Sequence, residues 1–252
     1  EAAHRGVPSC VMTFEPHPRD YFAARAGTPE AAPRRVALLR DKLSELERCG
    51  IDQAVIMRFD ARFAAQAPQA FIDAQPGLQT LFNMGAGVDA LMKLQLPPTL
   101  KVVRLDDAGM AVQMAEYVCH ALIRHYREFD GYEADTAQGR WSVRKPRARS
   151  EFSVGILGLG VLGRRVAQAV AAFEFPVQGW SRTPQDMPGV RCFAGDAQLP
   201  QFLAATRVLV CLLPLTPATT DILRHETLSQ LQPGGYVINV ARGAHLVDAD
   251  LL

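Results

Sequence analysis

The sequence predicts an α/β protein built on parallel sheets, and three observations carry that reading. Short apolar, β-branched runs alternate with segments of helical spacing along most of the chain, the pattern of parallel strands joined by covering helices. One such run, Val154-Gly155-Ile156-Leu157, passes directly into Gly158-Leu159-Gly160-Val161-Leu162-Gly163 and then into a helix. The 252 residues are 48% hydrophobic and 21% charged, a globular composition that excludes a disordered or collagen-like chain. A chain of this length buries roughly 70% of its unfolded surface and needs neither disulfides nor a structural metal to hold a core.

Residues 9–14 form a β-branched run closed by Glu15-Pro16-His17-Pro18, read as a strand ending in a rigid turn, with a loop rich in Ala, Gly and Pro after it. Over 35–49, Val36, Leu39, Leu43 and Leu46 recur at three- and four-residue spacing, an amphipathic helix stopped by Gly50. A strand over 53–58, a short helix over 68–72, a strand over 78–84 ending in Gly85-Ala86-Gly87, a helix over 88–94 and a strand over 100–105 follow. Apolar residues at helical spacing over 110–129 predict one long helix ended by Gly131. The stretch 139–150 holds Arg140, Arg144, Lys145, Arg147 and Arg149, has no acidic residue and is broken by Pro146, so it is read as a solvated linker. A second series comprises a strand over 153–157, a helix over 161–173, strands over 176–180 and 208–213, a helix over 220–231 and a strand over 236–240. Leu251 and Leu252 read as part of a further helix.

Several classes of function are disfavoured. The formal net charge is +1, from 27 Lys and Arg against 26 Asp and Glu, too balanced for a dedicated nucleic-acid binder. Nor does the basic linker interleave aromatics beyond Trp141 as a nucleic-acid patch would. Cys10, Cys49, Cys119, Cys192 and Cys211 are odd in number and scattered, with no CxxC pair, which suits a reducing cytoplasm better than a disulfide framework or zinc site. His120 and His125 are five apart and do not share a helix face, so no metal is expected. The longest apolar stretch, 208–213, is far too short to span a membrane, and the opening residues lack the pattern of a signal peptide. The chain opens on Glu1 instead of Met and stops within an expected helix, so it is expected to be part of a longer product.

The chemistry concentrates at the glycine motif. Gly158 permits a tight turn, Gly160 lets backbone approach a pyrophosphate, and Gly163 lets the helix pack closely on the strand. The helix start then offers free N–H groups and a positive dipole end to the phosphates. The next strand ends in Trp180-Ser181-Arg182-Thr183, where a site for NAD places a carboxylate on the ribose 2′-hydroxyl. Arginine flanked by two hydroxyl residues suits a 2′-phosphate instead, so NADP(H) is favoured over NAD(H). Two later strands end in Cys211-Leu212-Leu213-Pro214-Leu215-Thr216-Pro217 and Asn239-Val240-Ala241-Arg242-Gly243. Both exits lie on the sheet edge where such folds bind ligands, and Arg242 there can hold a carboxylate or polarise a carbonyl.

Taken with Gly85-Ala86-Gly87-Val88-Asp89, these motifs from about residue 76 onward resemble the D-2-hydroxyacid dehydrogenases. The resemblance implies a Rossmann-type parallel sheet beside a smaller, flavodoxin-like parallel α/β domain. It also implies NADPH-dependent reduction of a small 2-oxoacid, such as glyoxylate or hydroxypyruvate, and a homodimer. By the same resemblance Ala86, Gly87 and Val88 offer amides to the substrate carboxylate and Arg242 binds the carboxylate and carbonyl. The cofactor would lie along Gly158, Leu159, Gly160, Val161, Leu162 and Gly163, then Ser181, Arg182 and Thr183, and against Leu213, Pro214 and Ala241. The family pairs its arginine with a Glu and a His further along. Only ten residues follow Arg242 here, so that pair, the last strands of the sheet and full turnover are expected to be lacking. His245 is read as a non-catalytic residue of the strand exit.

Residues 1–73 resemble a different family. Gly6-Val7-Pro8-Ser9-Cys10-Val11-Met12-Thr13-Phe14-Glu15-Pro16-His17-Pro18, Leu39-Arg40-Asp41-Lys42-Leu43 and Met57-Arg58-Phe59-Asp60 are similar to the FMN adenylyltransferase domain of bifunctional riboflavin kinase/FAD synthetase. Adenylyl transfer in that family relies on an HxGH motif, and no such motif occurs in this sequence. The expected organisation is a nucleotidyltransferase-like fragment over 1–73, part of a substrate domain with an interdomain helix over 74–138, a linker over 139–150 and the dinucleotide-binding domain over 151–252. The first fragment is expected to extend the sheet of the second as a surrogate edge. The readings weighed against a reductase are an FMN adenylyltransferase fragment and a non-catalytic dinucleotide-binding remnant.

Overall fold

The computed structural model describes residues 4, 6, 8–32, 37–83 and 87–251, in two units, 1–78 and 79–252. In the first unit, β1 (Cys10–Glu15) and β2 (Gln53–Arg58) pair in parallel from Cys10 opposite Gln53 to Glu15 opposite Arg58. The Asp52 carboxylate pins the start of the ladder, accepting from Ser9 N–H and Ser9 Oγ at 2.8 Å each. Pro18–Arg25 is a helix (α1) and not the expected loop. Its proline occupies the first turn, where a missing N–H costs nothing, and His17 caps it by accepting the Arg19 N–H at 3.2 Å. The motif read as a rigid turn is therefore a helix start.

Further on, α2 (Leu39–Arg48) forms the amphipathic helix, and α3 (Ala61–Ala64), which sequence patterning missed, is capped by Asp60 accepting from Phe63 N–H at 3.0 Å. A short α4 (Pro68–Asp73) completes the unit. Phe59 lies at its centre, with ring centroids 5.6 Å from Phe14, 5.4 Å from Tyr21 and 5.5 Å from Phe63. Phe14 and Tyr21 meet it edge-on, the arrangement that aromatic quadrupoles favour.

The second unit opens with β3 (Thr80–Asn83) and β4 (Lys101–Arg104), again parallel. The described strands of the first unit form one ladder, β1 with β2, and β3 and β4 form another. Residues 88–94 make only a 3₁₀ turn, Leu91–Lys93, not a helix. The following Leu96-Pro97-Pro98 leaves too little chain for one, because a residue before proline is pushed out of the helical region.

The long helix divides. After α5 (Met110–Tyr126) Glu128 takes a left-handed conformation, φ 55°, and α6 (Phe129–Ala137) continues past Gly131. Gly131 does not end the helix; a Cβ there would lie 2.5 Å from Arg144 Nη2, the far end of a flexible side chain. Arg144 passes over it to reach Asp135 Oδ2 at 2.7 Å, while Arg140 Nη2 takes Asp135 Oδ1, also at 2.7 Å. The basic stretch is largely exposed, but its arginines are paired. Arg147 pairs with Glu128 at 2.6 Å, and the Arg149 guanidinium stacks over the Tyr126 and Phe175 rings. Arg140 beside it holds the Asp135 carboxyl below its ordinary range against the opposing effect of burial.

A five-stranded parallel sheet follows, in the order β7-β6-β5-β8-β9, from β5 (Val154–Leu157), β6 (Val177–Ser181), β7 (Val190–Ala194), β8 (Val208–Cys211) and β9 (Tyr236–Asn239). These are the first five places of the doubly wound order 3-2-1-4-5-6. Side chains alternate across it. Val154, Ile156, Val208 and Val210 join Val118 and Leu122 of α5 and Val166 and Val170 of α7 (Val161–Ala171). Leu157, Leu209 and Cys211 join Phe202 and Leu203 of α8 (Leu199–Ala204) on the other face. Burial of both faces accounts for the unbroken apolar runs.

Edge strand β7 and the six-residue α8 were not anticipated; β7 has one partner and only Phe193 fully buried, so its pattern is weak. The helix expected over 220–231 shrinks to α9 (His225–Leu228). Leu223 instead pairs in parallel with Leu246, its N–H donating to His245 C=O at 2.8 Å and its C=O accepting from Val247 N–H at 3.0 Å, which removes both groups from a helical ladder. The chain's last described residues form a 3₁₀ turn, Asp248–Leu251. No helix among the described residues is long and apolar enough to cross a membrane.

Candidate functional site: a glycine turn, two strand exits and an arginine

The four parallel strands β6, β5, β8 and β9 send their carboxyl ends to one edge, and the chemistry gathers there. At β5, Gly158 has φ 111°, which a side chain would strain, and the turn carries the chain into α7. A Cβ on Gly163 would sit 1.8 Å from the Gly158 carbonyl oxygen, so the third glycine is what lets the helix close on the strand. Gly160 differs: nothing lies within 4 Å of a Cβ built there, and it is exposed. It is the N-cap of α7 and supplies no side-chain cap, and the first turn carries no acidic residue. A helix start without a side-chain cap, beside an open glycine, is the arrangement that receives an anion. Leu159 is buried, Val161 exposed and Leu162 half-buried.

The β6 exit presents Arg182, which is exposed, and Thr183 beside it. Ser181 Oγ donates to Thr183 C=O at 2.8 Å, curling the exit. Arg164, a residue not foreseen as part of the site, braces the same loop from α7 by donating to Asp186 C=O at 3.2 Å and to the Gln185 side chain. The β8 exit is fixed by Thr219, whose Oγ1 donates to Pro214 C=O at 2.7 Å and accepts from Thr216 N–H at 2.8 Å. Leu213 remains buried at this exit.

The β9 exit carries Arg242. Asn239 Nδ2 donates to Arg242 C=O at 2.9 Å and Asn239 Oδ1 accepts from Ala241 N–H at 3.1 Å, so the last strand residue shapes the turn. The guanidinium donates from Nη2 to Asp89 Oδ1 at 3.1 Å and from Nη1 to Ala241 C=O at 3.1 Å. It lies so close to Gly87 that a Cβ there would be 2.1 Å from Nη2. Asn83, at the end of β3, donates to Gly87 C=O at 2.8 Å.

Of the residues expected at the substrate end, the structure brings Gly87 and Arg242 together, with Val88 next to Gly87; Ala86 lies outside the described residues. Asp89 and Asn83 were missed as site residues. The signal for Asp89 was present in the motif Gly85-Ala86-Gly87-Val88-Asp89, but its partner lies 153 positions away.

The family described as D-isomer specific 2-hydroxyacid dehydrogenase, NAD binding domain, matches residues 119–252, and the family described as FAD synthetase matches residues 1–81. Among curated proteins the chain is similar to glyoxylate/hydroxypyruvate reductase A from Yersinia enterocolitica, 44% identical over 193 residues, 74% of this chain and 62% of that protein. The same-named protein from Escherichia fergusonii is 43% identical over 181 residues, 69% of this chain and 58% of that protein. The chain therefore spans about three fifths of the length of these relatives.

Among solved structures, a D-isomer specific 2-hydroxyacid dehydrogenase from Xanthobacter autotrophicus Py2, in complex with NADPH and MES, is 32% identical with a TM-score of 0.73, covering 97% of this chain and 75% of that one. An NADPH-dependent glyoxylate/hydroxypyruvate reductase from Sinorhizobium meliloti, in complex with NADP and sulfate, is 33% identical with a TM-score of 0.70, covering 97% and 76%. The glycine turn, the β6 to β9 exits and the arginine all fall inside the matched range 119–252, and by that match the chain belongs to the D-isomer specific 2-hydroxyacid dehydrogenase family.

Proposed function

We propose that this chain binds NADP(H) at the β5–α7 turn and acts on a small 2-oxoacid of the glyoxylate or hydroxypyruvate kind, reducing it to the D-2-hydroxyacid. The observation that carries the reading is Arg242, whose guanidinium lies against Gly87 at the same sheet edge as the glycine turn. The NADPH-bound solved relatives and the reductases among the curated relatives support it.

The residues fit the cofactor. Uncapped amides at the start of α7 and the open face of Gly160 receive the pyrophosphate, and Arg182 with Ser181 and Thr183 receives the 2′-phosphate. Leu213, Pro214 and Ala241 line the exits beside it. When bound, the dihydronicotinamide supplies a hydride to C2 of the oxoacid. Arg242 holds the substrate carboxylate and carbonyl by charge-assisted hydrogen bonds, and the amides of Ala86, Gly87 and Val88 complete the carboxylate site. Its positive charge stabilises the alkoxide as C2 is reduced. The alkoxide proton comes from a donor other than His245, because both ring nitrogens of that residue face backbone groups.

The test is equilibrium binding followed by turnover: NADPH fluorescence titrated with the chain, oxalate added as a 2-oxoacid mimic, then loss of NADPH absorbance with glyoxylate and with hydroxypyruvate. NADPH bound more tightly than NADH, with oxalate uptake that Arg242→Ala abolishes, supports the reading. A chain that takes up neither nucleotide overturns it.

We further propose that residues 1–73 are a nucleotidyltransferase-like segment joined to the substrate-domain part over 74–138, the stretch 139–150 and the nucleotide-binding part over 151–252. The FAD synthetase match over 1–81 supports this division. His17 there caps α1, so the segment is read as scaffold and not as an adenylyltransferase centre. Formation of FAD from FMN and ATP by the chain would reverse that assignment.

A further inference from the structure

We infer that His245 is a positioning residue that ties the substrate arginine to the wall of the cofactor crevice. The inference rests on the reductase reading for what the two loops hold, and on the geometry of the ring for how they are joined.

His245 is fully buried, with 0% of its surface exposed, at the end of the 3₁₀ turn Gly243–His245. Its Nδ1 lies 3.2 Å from Arg242 N and 3.1 Å from Arg242 O, and its Nε2 lies 3.4 Å from Pro214 O. A neutral imidazole has one donor and one acceptor nitrogen, so the surroundings choose between two tautomers. With the proton on Nε2, the ring donates to Pro214 C=O and accepts the Arg242 N–H at Nδ1. The Arg242 C=O remains satisfied, accepting from His245 N–H at 3.1 Å and Asn239 Nδ2 at 2.9 Å. With the proton on Nδ1, that N–H donates to Arg242 C=O, which already has two donors, while Arg242 N–H loses its acceptor and the Nε2 lone pair faces the Pro214 carbonyl oxygen. The Nε2–H form satisfies all of these groups and the Nδ1–H form leaves two of them unmatched, so the Nε2–H form is the one this pocket selects.

The consequence is a strut between two loops. Pro214 C=O is held from one side by Thr219 Oγ1 and from the other by the ring. Arg242 N–H is held by the same ring, and the guanidinium reaches Asp89 from a backbone fixed in that way. The segment behind it is anchored by Leu223 N–H on His245 C=O and Asp221 N–H on Ala244 C=O, at 2.8 and 3.0 Å. His245 therefore sets where the Arg242 side chain starts relative to the β8 exit, without reaching the ligands itself.

The two nitrogens can be tested separately. In His245→Asn the amide oxygen replaces the Nδ1 acceptor and the side chain no longer reaches Pro214; in His245→Gln the amide nitrogen replaces the Nε2 donor and the acceptor is lost. On the full 252-residue chain, NADPH affinity is read by fluorescence and oxalate affinity on the NADPH-loaded protein.

From the usual worth of one hydrogen bond, His245→Gln is expected to weaken oxalate about tenfold while NADPH stays within about twofold. His245→Asn is expected to do the reverse. Long-range ¹H–¹⁵N correlation on the unaltered chain, without ligand, reads the tautomer directly and does not depend on either variant folding. Loss of both affinities in equal measure, no change in either, or an Nδ1–H tautomer overturns the inference. An unaltered chain that shows the Nε2–H tautomer and binds NADPH but no oxalate overturns the 2-oxoacid reading and, with it, the role assigned toward substrate.

Discussion

Arg242 donates from Nη2 to Asp89 Oδ1 at 3.1 Å, across 153 positions of sequence, and so ties the segment from Gly87 to Asp89 to the exit of β9. The pair is partly exposed, with 47% of the arginine side chain and 32% of the aspartate accessible. On the proposed reading, a substrate carboxylate arriving at Arg242 would compete with this internal carboxylate for the same N–H groups.

Replacing Asp89 by Asn should tighten oxalate binding by about two- to fivefold, the scale of an exposed ion pair, with the effect shrinking at high salt. The Asp89 carboxyl is held below its ordinary range, first by its own backbone N–H and then by Arg242. A depressed value means the pair is intact at neutral pH and is lost only as pH falls below the usual carboxylate range of about 4. Oxalate titrations between pH 6 and 8 should therefore show no step from Asp89, and a step there that vanishes in Asp89→Asn would refute the assignment.

The two inner glycines should respond differently. Gly163→Ala forces a Cβ to 1.8 Å from the Gly158 carbonyl oxygen, a backbone atom that cannot swing away. Thermal unfolding should show a loss of several degrees, in line with about 1–3 kcal/mol for overpacking. Gly160→Ala meets nothing within 4 Å and has φ −73°, so the melting temperature should hold while NADPH affinity falls. Equal melting losses in both variants would contradict the assignment of Gly160 to the pyrophosphate.

Arg182→Ala should reduce NADPH affinity by about tenfold or more and leave NADH affinity within about twofold, because only the former carries the 2′-phosphate. Parallel fluorescence titrations of the two nucleotides read the ratio. An unchanged ratio would assign the discrimination to another group, such as Arg164, which reaches that loop from α7.

Asp135→Asn should free the basic stretch after α6. Arg140 and Arg144 both end on that carboxylate, and the adjoining chain has no regular secondary structure until Arg149. Brief trypsin digestion should then cut between residues 140 and 147 much faster than in the unaltered chain, with the fragments identified by intact mass. Equal cutting rates would mean that the stacking of Arg147 and Arg149 on Phe152, Tyr126 and Phe175 is sufficient to hold the segment.

What could be read from the sequence is tied to local pattern. The run Val154–Leu157 into Gly158, Gly160 and Gly163 specified strand, turn and helix because buried parallel strands and a glycine-tight turn write themselves into adjacent residues. The order of the family motifs likewise located Arg242 and the absence of a carboxylate after β6. Elements set by distant partners were misread. Gly131 looked like a helix stop, while α6 continues past it beneath Arg144; the run after Thr220 looked helical, while Leu223 is taken up by Leu246.

By itself the sequence determined the parallel α/β class and the glycine cradle, which rest on spacings within a few residues, and the order of the family motifs singled out Arg242. Only the tertiary structure decided that Arg242 meets Asp89 and Gly87, that the arginines after residue 139 are consumed by Asp135 and aromatic rings, and that His245 joins two strand exits. Hydrogen bonds and ion pairs between segments depend on which strand ends the sheet order places side by side, and that order is set by the packing of both sheet faces as a whole.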